Sequence, residues 1–148
     1  MVYDQRNLGA SDGLPRDELD PDKQAQDVHD AVTFLLQQSG VDANRVGVFG
    51  YSYSGAHAIR AGALDRRIHA AASMSGLLSG DWLLRSGGGD REASDRIVWE
   101  YRAARVAGSE PRYFPIIPTD EEGRENAVLP MPYAVEFYAR MRRTKSPE

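Results

Sequence analysis

Apolar residues follow two different spacings in the first half of the chain. Between Val28 and Leu36 they recur at helical intervals, and Asp20-Pro21 supplies a capping side chain and a first helical residue, so we expect a helix that ends near Gly40. The continuous apolar run from Val46 to Phe49 is too short for a helix and is typical of a buried parallel strand.

The same alternation continues beyond this run. The alanine-rich segment from Ser54 to Leu64 predicts a second helix, and the segment from Ile68 to Ser75 predicts a second strand. Val2 and Tyr3 have the composition of the last residues of an earlier strand, which leaves the sheet at Asp4. Strands that alternate with helices indicate a parallel sheet with right-handed crossovers, so the predicted fold class is α/β.

The second half of the chain contains no convincing buried strand. Arg91 to Ala107 has a helical pattern, Pro111 to Pro132 is extended and interrupted by prolines, and a last helix is expected from Tyr133 to Arg143. We therefore predict two regions: residues 1–79 form the central part of the α/β core, and residues 80–148 form a helical cap or insertion.

Composition and charge exclude several classes of function. The chain of 148 residues has no cysteine, which rules out disulfides, thiolate metal sites and a cysteine nucleophile. Its formal net charge of -4 argues against nucleic acid as a partner, because phosphate binding needs clustered cations. No apolar stretch has the length of a membrane span. We expect a cytoplasmic protein that uses neither a metal nor an organic cofactor and does not bind membranes.

The stretch GYSYSG, from Gly50 to Gly55, has the residues that a catalytic serine needs at a strand-to-helix turn. At such a turn the serine hydroxyl projects above the sheet, and the N–H of the next residue faces the space where an oxyanion forms. Small residues are needed two positions before and after the serine, and Gly50 and Ser54 stand there. We therefore predict Ser52 as the nucleophile and the Tyr53 N–H as an oxyanion donor.

Two other interpretations fit the same turn less well. A dinucleotide-binding fingerprint needs a glycine where Ser52 stands, and an acidic residue at the end of the next strand, where Met74, Ser75 and Gly76 stand. In the other interpretation Ser52 only caps the helix through its side chain, as serines often do. Ser54 would serve equally well as a cap, and the small residues on both sides of Ser52 would then have no explanation.

Two segments together resemble the α/β-hydrolase superfamily. The loop from Asp4 to Gly13, DQRNLGASDG, is similar to the D-x-R-G-x-G-x-S-x-G segment that follows the fourth strand of that fold, with Asn7 in place of a glycine. Together with GYSYSG, the region up to Gly76 is similar to the dienelactone-hydrolase-like and Xaa-Pro-peptidase-like branch. The resemblance implies a serine hydrolase that cleaves an ester, lactone or related acyl bond in a small molecule. It also implies that Asp4 and Arg6 pair to hold the loop.

A nucleophilic serine needs a base and usually a carboxylate, which in this superfamily follow the serine in the order acid, histidine. The three histidines do not suit this role. His29 precedes the serine, His57 faces away from it five residues further along the helix, and His69 lies at the opposite edge of the sheet. Asp81, after the second strand, is a weaker candidate for the acid. The resemblance therefore implies a partial fold that lacks both ends, with the acid and the base outside this chain.

A second class of function stays open. The chain is alternatively a non-catalytic small-molecule-binding or interaction domain that keeps the turn for structural reasons. The apolar run from Tyr113 to Ile117 has two interpretations, because it either lines an acyl pocket or packs within the cap. An acidic residue and a late histidine in the flanking reading frame would favour the enzyme.

Overall fold

The computed structural model describes residues 1–86, 90–110, 113–117, 127–128, 133, 135–137 and 140. The chain divides into two compact units, Met1–Arg91 and Glu92–Glu148. Helices and strands alternate in the first unit, which confirms the predicted α/β class. The elements are α1 (Pro21–Leu36), β1 (Gly47–Tyr51), α2 (Tyr53–Leu64), β2 (Ala70–Met74), α3 (Gly80–Ser86) and α4 (Arg91–Val106), with a 3₁₀ turn at Ala43–Arg45 that was not expected.

Helix α1 begins where the sequence predicts and ends earlier. The Asp20 carboxylate accepts hydrogen bonds from the backbone N–H groups of Asp22 and Lys23, both at 3.1 Å. The helix ends at Leu36, before the expected end at Gly40, because the residues between them are polar and exposed and no packing sustains a further turn. Gly40 instead lies in the following turn with a φ of 85°.

Strands β1 and β2 are parallel neighbours, in register from Gly47 opposite Ala70 to Tyr51 opposite Met74. Helix α2 forms the crossover between them, as predicted. It packs on both strands and on α1, so that the core forms where the two helices meet the pair of strands. The buried side chains of this core are Val32, Val46, Ala61 and Ile68.

The two faces of β1 differ in burial. Val48 packs against the core and Gly50 is buried, whereas Phe49 is 67% exposed and Tyr51 is 59% exposed. All five residues of β2 are exposed as well. The prediction of a fully buried strand is therefore wrong for Phe49, because the helices cover the face of the strands that carries Val48 and Gly50.

Residues 1–5 form no strand, so the prediction that Val2 and Tyr3 end one is wrong in this structure. A strand needs a hydrogen-bonded neighbour. The nearest strand is β1, and a cavity of about 540 Å³ lies between it and the first residues of the chain. Ser54 and His57 of α2 also line this cavity.

The loop after residue 4 is held by an ion pair other than the predicted one. Arg6 donates from Nε to Asp27 Oδ1 at 2.6 Å, and its backbone N–H donates to Asp27 Oδ2 at 2.9 Å. Asp4 instead accepts from the N–H of Ala10 at 2.9 Å. The predicted pair of Asp4 with Arg6 is therefore wrong, because Asp27 on α1 offers both oxygens to Arg6 while Asp4 closes a turn of the loop.

Asn7 has the backbone conformation that explains why a glycine is usual at its position. Its φ is 68°, in the left-handed region that asparagine tolerates better than most residues with a side chain. The residue is buried, its N–H donates to the Asp12 carbonyl at 2.9 Å, and its carbonyl accepts from Asp17 at 3.0 Å. The loop thus keeps its turn without the glycine.

The second unit is described in part. Helix α4 agrees closely with the predicted helix over Arg91 to Ala107. Residues 133, 135–137 and 140 are helical, and the rest of the predicted helix from Tyr133 to Arg143 lies outside the described residues, as does most of the expected extended segment from Pro111 to Pro132. Within the run from Tyr113 to Ile117, a role in an acyl pocket or in cap packing stays a prediction.

The described parts of the chain contain no helix that is both long and apolar enough to cross a membrane. The predicted cytoplasmic location and the division into a core at 1–79 and a cap at 80–148 stay predictions.

Candidate active site

Ser52 occupies a sharp corner between β1 and α2, as the sequence predicts. The strand ends at Tyr51, the helix begins at Tyr53, and Ser52 between them has a φ of 54° and a ψ of -121°. A residue with a side chain seldom adopts such a φ, which costs of the order of 1–3 kcal/mol. A strained serine at a strand-to-helix turn is the geometry in which hydrolases present a nucleophile.

Three backbone hydrogen bonds hold this corner. The Ser52 N–H donates to the Met74 carbonyl at the end of β2, at 2.9 Å. The Ser52 carbonyl accepts from the N–H of Gly55 at 2.9 Å and from the N–H of Leu77 at 3.0 Å. The Ser52 carbonyl and the Tyr53 N–H belong to the same trans peptide, in which they point in opposite directions. Because Gly55 and Leu77 bind the carbonyl on one side, the Tyr53 N–H points to the other side.

The small residues around the serine are required by close contacts. A Cβ on Gly50 would overlap the Ser54 carbonyl and lie 2.8 Å from the Gly55 nitrogen. A Cβ on Gly55 would lie 2.5 Å from Ser73 Oγ and 2.8 Å from the Gly76 Cα. Gly50 therefore lets α2 begin directly beside β1, and Gly55 lets it pass close to the end of β2.

The Ser52 side chain does not cap α2. Ser52 is exposed and its hydroxyl makes no capping hydrogen bond, so the interpretation of this serine as a helix cap is wrong. A capping residue has an extended backbone, whereas the positive φ of Ser52 directs its side chain elsewhere. The Tyr53 N–H, at the positive end of the helix, has no acceptor within the described part of the chain. The corner thus presents an exposed hydroxyl beside a free N–H donor.

Two of the histidines lie at the far end of this layer. His69 directly precedes β2, and its N–H donates to the Val46 carbonyl at 2.8 Å, so it lies at the amino ends of the strands. Val46 is six residues before Ser52, which at about 3.3 Å per residue places His69 about 20 Å from Ser52. His29 Nδ1 lies 3.1 Å from Asp65 Oδ2. Asp65 directly follows α2, and this helix of 12 residues is about 18 Å long, so the pair is remote from Ser52 as well.

The third histidine, His57, contacts Tyr53 and makes no hydrogen bond to Ser52. Its ring packs edge-to-face against the Tyr53 ring, with centroids 4.7 Å apart and an interplanar angle of 85°. His57 is 4% exposed, and its Nε2 has no hydrogen-bond partner among the described residues. Burial lowers the pKa of His57, and the charge of Arg60 lowers it further, against a smaller opposite effect of Asp27. The neutral imidazole is therefore the form that packs here.

Asp81, the weaker candidate for the catalytic acid, forms an ion pair with Arg91 at 3.1 Å. Within the described ranges, no group of three or more histidine and carboxylate side chains is placed to ligate a metal. The structure thus brings together the predicted hydroxyl and the predicted N–H donor at the corner, and it brings none of the three histidines to the hydroxyl. The roles of Ser52 and Tyr53 stay predictions.

Two contributors to the corner were missed from the sequence. Ser75 has a φ of 50° and, with Gly76, turns the chain after β2 so that the Leu77 N–H reaches Ser52. A serine–glycine pair directly after an apolar strand was the available signal. Gln24 of α1 accepts a hydrogen bond from the Tyr53 hydroxyl at 3.1 Å, and a lone glutamine in a helix gave no signal of this contact.

Parallel strands joined by a crossover helix, with a strained serine at the strand-to-helix corner, define an α/β hydrolase. Residues 1–112 match the X-Pro dipeptidyl-peptidase (S15) family, and the chain belongs to this family. The α/β-hydrolase resemblance drawn from the sequence is thereby confirmed.

Several fungal proteins are similar to this chain. The thiohydrolase aneE of Aspergillus aculeatus is 47% identical over 78 residues, which are 53% of this chain and 24% of that protein. The polyketide transferase af380 of Aspergillus fumigatus is 33% identical over 120 residues, which are 81% of this chain and 40% of that protein. The chain thus spans well under half the length of these two relatives.

Two solved structures are similar over nearly the whole chain. The crystal structure of the alpha/beta hydrolase GrgF from Penicillium sp. sh18 has a TM-score of 0.64 and 28% identity, and covers 99% of this chain. The structure of DcsB in complex with its substrate analogue has a TM-score of 0.69, again at 28% identity, and covers 97% of this chain. In both comparisons the match covers 48% of the solved chain.

Proposed function

We propose that the protein containing this chain transfers acyl groups from thioesters to water or to a second nucleophile, through an acyl-enzyme formed on Ser52. The observation that carries this proposal is the corner itself, where an exposed hydroxyl stands beside a free backbone N–H. The choice of a thioester rests on the names of similar proteins, which include both thiohydrolases and polyketide transferases. A hydrolase and a transferase share the first half of this reaction and differ in what attacks the acyl-enzyme.

In the first step, Ser52 Oγ attacks the carbonyl carbon of the thioester and loses its proton to a general base. The carbonyl oxygen becomes an oxyanion, and the Tyr53 N–H donates a hydrogen bond to it. The tetrahedral intermediate then collapses, the carbon–sulfur bond breaks, and the thiolate leaves and is protonated by the same base. Ser52 is left as an oxygen ester of the acyl group.

In the second step, water or an alcohol, amine or carbon nucleophile attacks the acyl-enzyme. The base accepts the proton of this nucleophile, and the oxyanion forms again beside Tyr53. The ester bond to Ser52 then breaks, and the serine recovers its proton. We propose that the base and its orienting carboxylate come from parts of the protein outside this chain, because none of its three histidines bonds to Ser52.

The proposal predicts that Ser52→Ala abolishes thioester cleavage. In the full-length protein we expect the release of free thiol from an acyl-N-acetylcysteamine thioester to fall by about 10³-fold or more, since loss of a serine nucleophile removes covalent catalysis. A thiol reagent measures the release. The matched control is Ser39→Ala, which makes the same change at an exposed position in the turn after α1.

Two results would contradict the proposal in different ways. Thiol release by Ser52→Ala at the wild-type rate would remove Ser52 from the mechanism. If the wild-type protein cleaved the matching ethyl ester and left the thioester intact, Ser52 would remain the proposed nucleophile. The thioester would then be contradicted as the substrate class.

A further inference from the structure

The Tyr53 side chain is anchored in the protein, although its backbone N–H faces outward at the corner. Its hydroxyl donates to Gln24 Oε1 at 3.1 Å. Gln24 lies near the start of α1 and is 1% exposed, so this hydrogen bond joins α1 to the first residue of α2 inside the protein. Burial raises the pKa of Tyr53, so the phenol keeps the proton that it donates.

A second contact fixes the Tyr53 ring from the side of its own helix. His57 lies one turn further along α2, at the spacing where helical side chains meet. Its buried ring stands at 85° to the Tyr53 ring, which is the favoured edge-to-face arrangement of aromatic pairs. Tyr53 is therefore held at its tip by Gln24 and along its ring by His57.

The first residue of a helix needs such an anchor when its backbone N–H must bind a substrate atom in a fixed direction. No hydrogen bond within the helix holds this N–H, and helix ends fray. The neighbouring Ser52 is strained, and rotation of the peptide that carries the Tyr53 N–H is a movement that would relieve this strain. The carbonyl of that peptide is held by Gly55 and Leu77, and the Tyr53 side chain anchors the residue on the other side of the same peptide.

We infer that Gln24 is a positioning residue for the oxyanion donor, acting through the Tyr53 hydroxyl, with His57 as lateral support. This inference rests on the proposed function, because it gives the Tyr53 N–H a task in acyl transfer. Gln24 does not touch the reacting atoms. Its loss lets the first turn of α2 move, so that the N–H is aimed less well at the oxyanion while substrate binding is unchanged.

The inference predicts a fall in kcat with little change in KM for Tyr53→Phe and for Gln24→Met in the full-length protein. We expect each variant to lower kcat for the thioester, and the rate of Ser52 phosphonylation by a fluorophosphonate, by about tenfold. This is a fraction of the 10²–10³-fold that loss of a whole oxyanion donor costs. The double variant should be no slower than the slower single variant, because both changes remove the same hydrogen bond.

Thr33→Val is the matched structural control. It lies on α1 and removes a hydroxyl that accepts from Arg67 at 2.7 Å, at the end of the layer remote from Ser52. We expect it to lower the thermal midpoint and to leave both rates unchanged. All rates are measured well below the thermal midpoint of each variant. Tyr53→Phe removes one oxygen atom and decides the question by itself if Gln24→Met does not fold.

The outcomes separate this inference from the proposed function. If the wild-type protein is labelled at Ser52, two results overturn the positioning role and leave the proposed function standing. One is that both rates are unchanged in Tyr53→Phe, and the other is that the losses of the two single variants add in the double variant. A folded wild-type protein that is not labelled at Ser52 overturns the proposed function, and the inference with it.

Discussion

At the residue scale, Ser52 bears a strain that a glycine would not. Its φ of 54° lies where a Cβ is disfavoured, and three backbone hydrogen bonds keep it there. Strained backbone conformations of this kind cluster at functional sites. The strain therefore supports a role for the hydroxyl, and it has a consequence for stability that can be measured.

We predict that Ser52→Gly makes the protein more stable than Ser52→Ala does. Glycine relieves the positive φ, whereas alanine keeps the Cβ, so the free energy of unfolding should be higher for the glycine variant by about 1 kcal/mol. Urea unfolding of the two variants measures the difference. A glycine variant less stable than the alanine variant would show that the corner stores no such strain.

Gly50 gives a second prediction at this scale. Gly50→Ala places a Cβ against the Ser54 carbonyl, and the backbone at Ser54 must move to make room for it. We therefore expect the free energy of unfolding to fall by about 1–3 kcal/mol. Displacement of the corner by about 1 Å should also slow labelling of Ser52 by about 10²-fold. Urea unfolding and the rate of fluorophosphonate labelling measure the two effects.

Gly80→Ala is the matched control for Gly50→Ala. Gly80 is the first residue of α3, and a Cβ there meets nothing within 4 Å. The φ of Gly80 lies outside the left-handed region, so alanine fits its backbone. Alanine in a helix is favoured over glycine, so we expect this variant to be as stable as the wild type or more stable by up to about 1 kcal/mol. Equal losses in both glycine variants would contradict the contact argument.

At the element scale, an ionic cluster ties the middle of α1 to the turn between α2 and β2. Asp65 accepts from Arg67 Nε at 2.8 Å and lies 3.1 Å from His29 Nδ1, and Arg67 also donates to Thr33. The side-chain hydrogen bonds from Arg67 hold the pKa of Asp65 well below its usual range. The ionised carboxylate is thus the form that the folded protein prefers.

Asp65→Asn should destabilise the protein in a pH-dependent way. At pH 7 we expect a loss of about 1–3 kcal/mol, because a hydrogen-bonded carboxylate is removed from a site where it is 9% exposed. The folded pKa is depressed, so the contribution is complete above the unfolded pKa of about 4 and is lost as the pH falls below it. The difference between wild type and variant should therefore shrink between pH 5 and pH 2 or so.

The control for this prediction makes the same change in an exposed ion pair. Asp22 lies 2.6 Å from Arg60, and its side chain is 78% exposed. Asp22→Asn should cost less than about 1 kcal/mol at pH 7. Urea unfolding at several pH values measures both variants. A pH-independent loss in Asp65→Asn would contradict a role for the ionised carboxylate.

The elements show where sequence reasoning succeeds and fails. The strands and helices around Ser52 were predicted to within two residues, because apolar period and turn residues agree there. The partner of Arg6 was predicted wrongly, since an ion pair between a loop and a helix depends on how they pack, which local pattern does not reveal. The prediction that Val2 and Tyr3 end a strand was wrong for a related reason, because a strand exists only beside a hydrogen-bonded neighbour.

At the scale of the whole molecule, the candidate site is built by several segments that meet at one corner. The serine and the N–H donor come from adjacent residues, so their spacing in sequence was enough to predict them. The Met74 carbonyl lies at the end of β2, the Leu77 N–H lies just after this strand, and Gln24 lies on α1. These contacts depend on packing between elements, which explains why the sequence did not reveal them.

The proposed base and its carboxylate also concern the whole molecule. The carboxylate nearest to a histidine in the described chain is Asp65 beside His29, and the length of α2 separates this pair from Ser52. The chain also spans about half the length of the two solved structures that it matches. The whole protein is therefore the right material for any test of activity.

The most direct test of the account is to locate the adduct after treatment of the full-length protein with a fluorophosphonate. Mass spectrometry of the peptides then identifies the modified residue, with heat-denatured protein as the control for non-specific reaction. We predict one phosphonyl group on Ser52 of the folded protein and none on the denatured protein. A folded protein with no adduct on Ser52, or with the adduct on another residue, would contradict the claim that this strained corner presents a nucleophile.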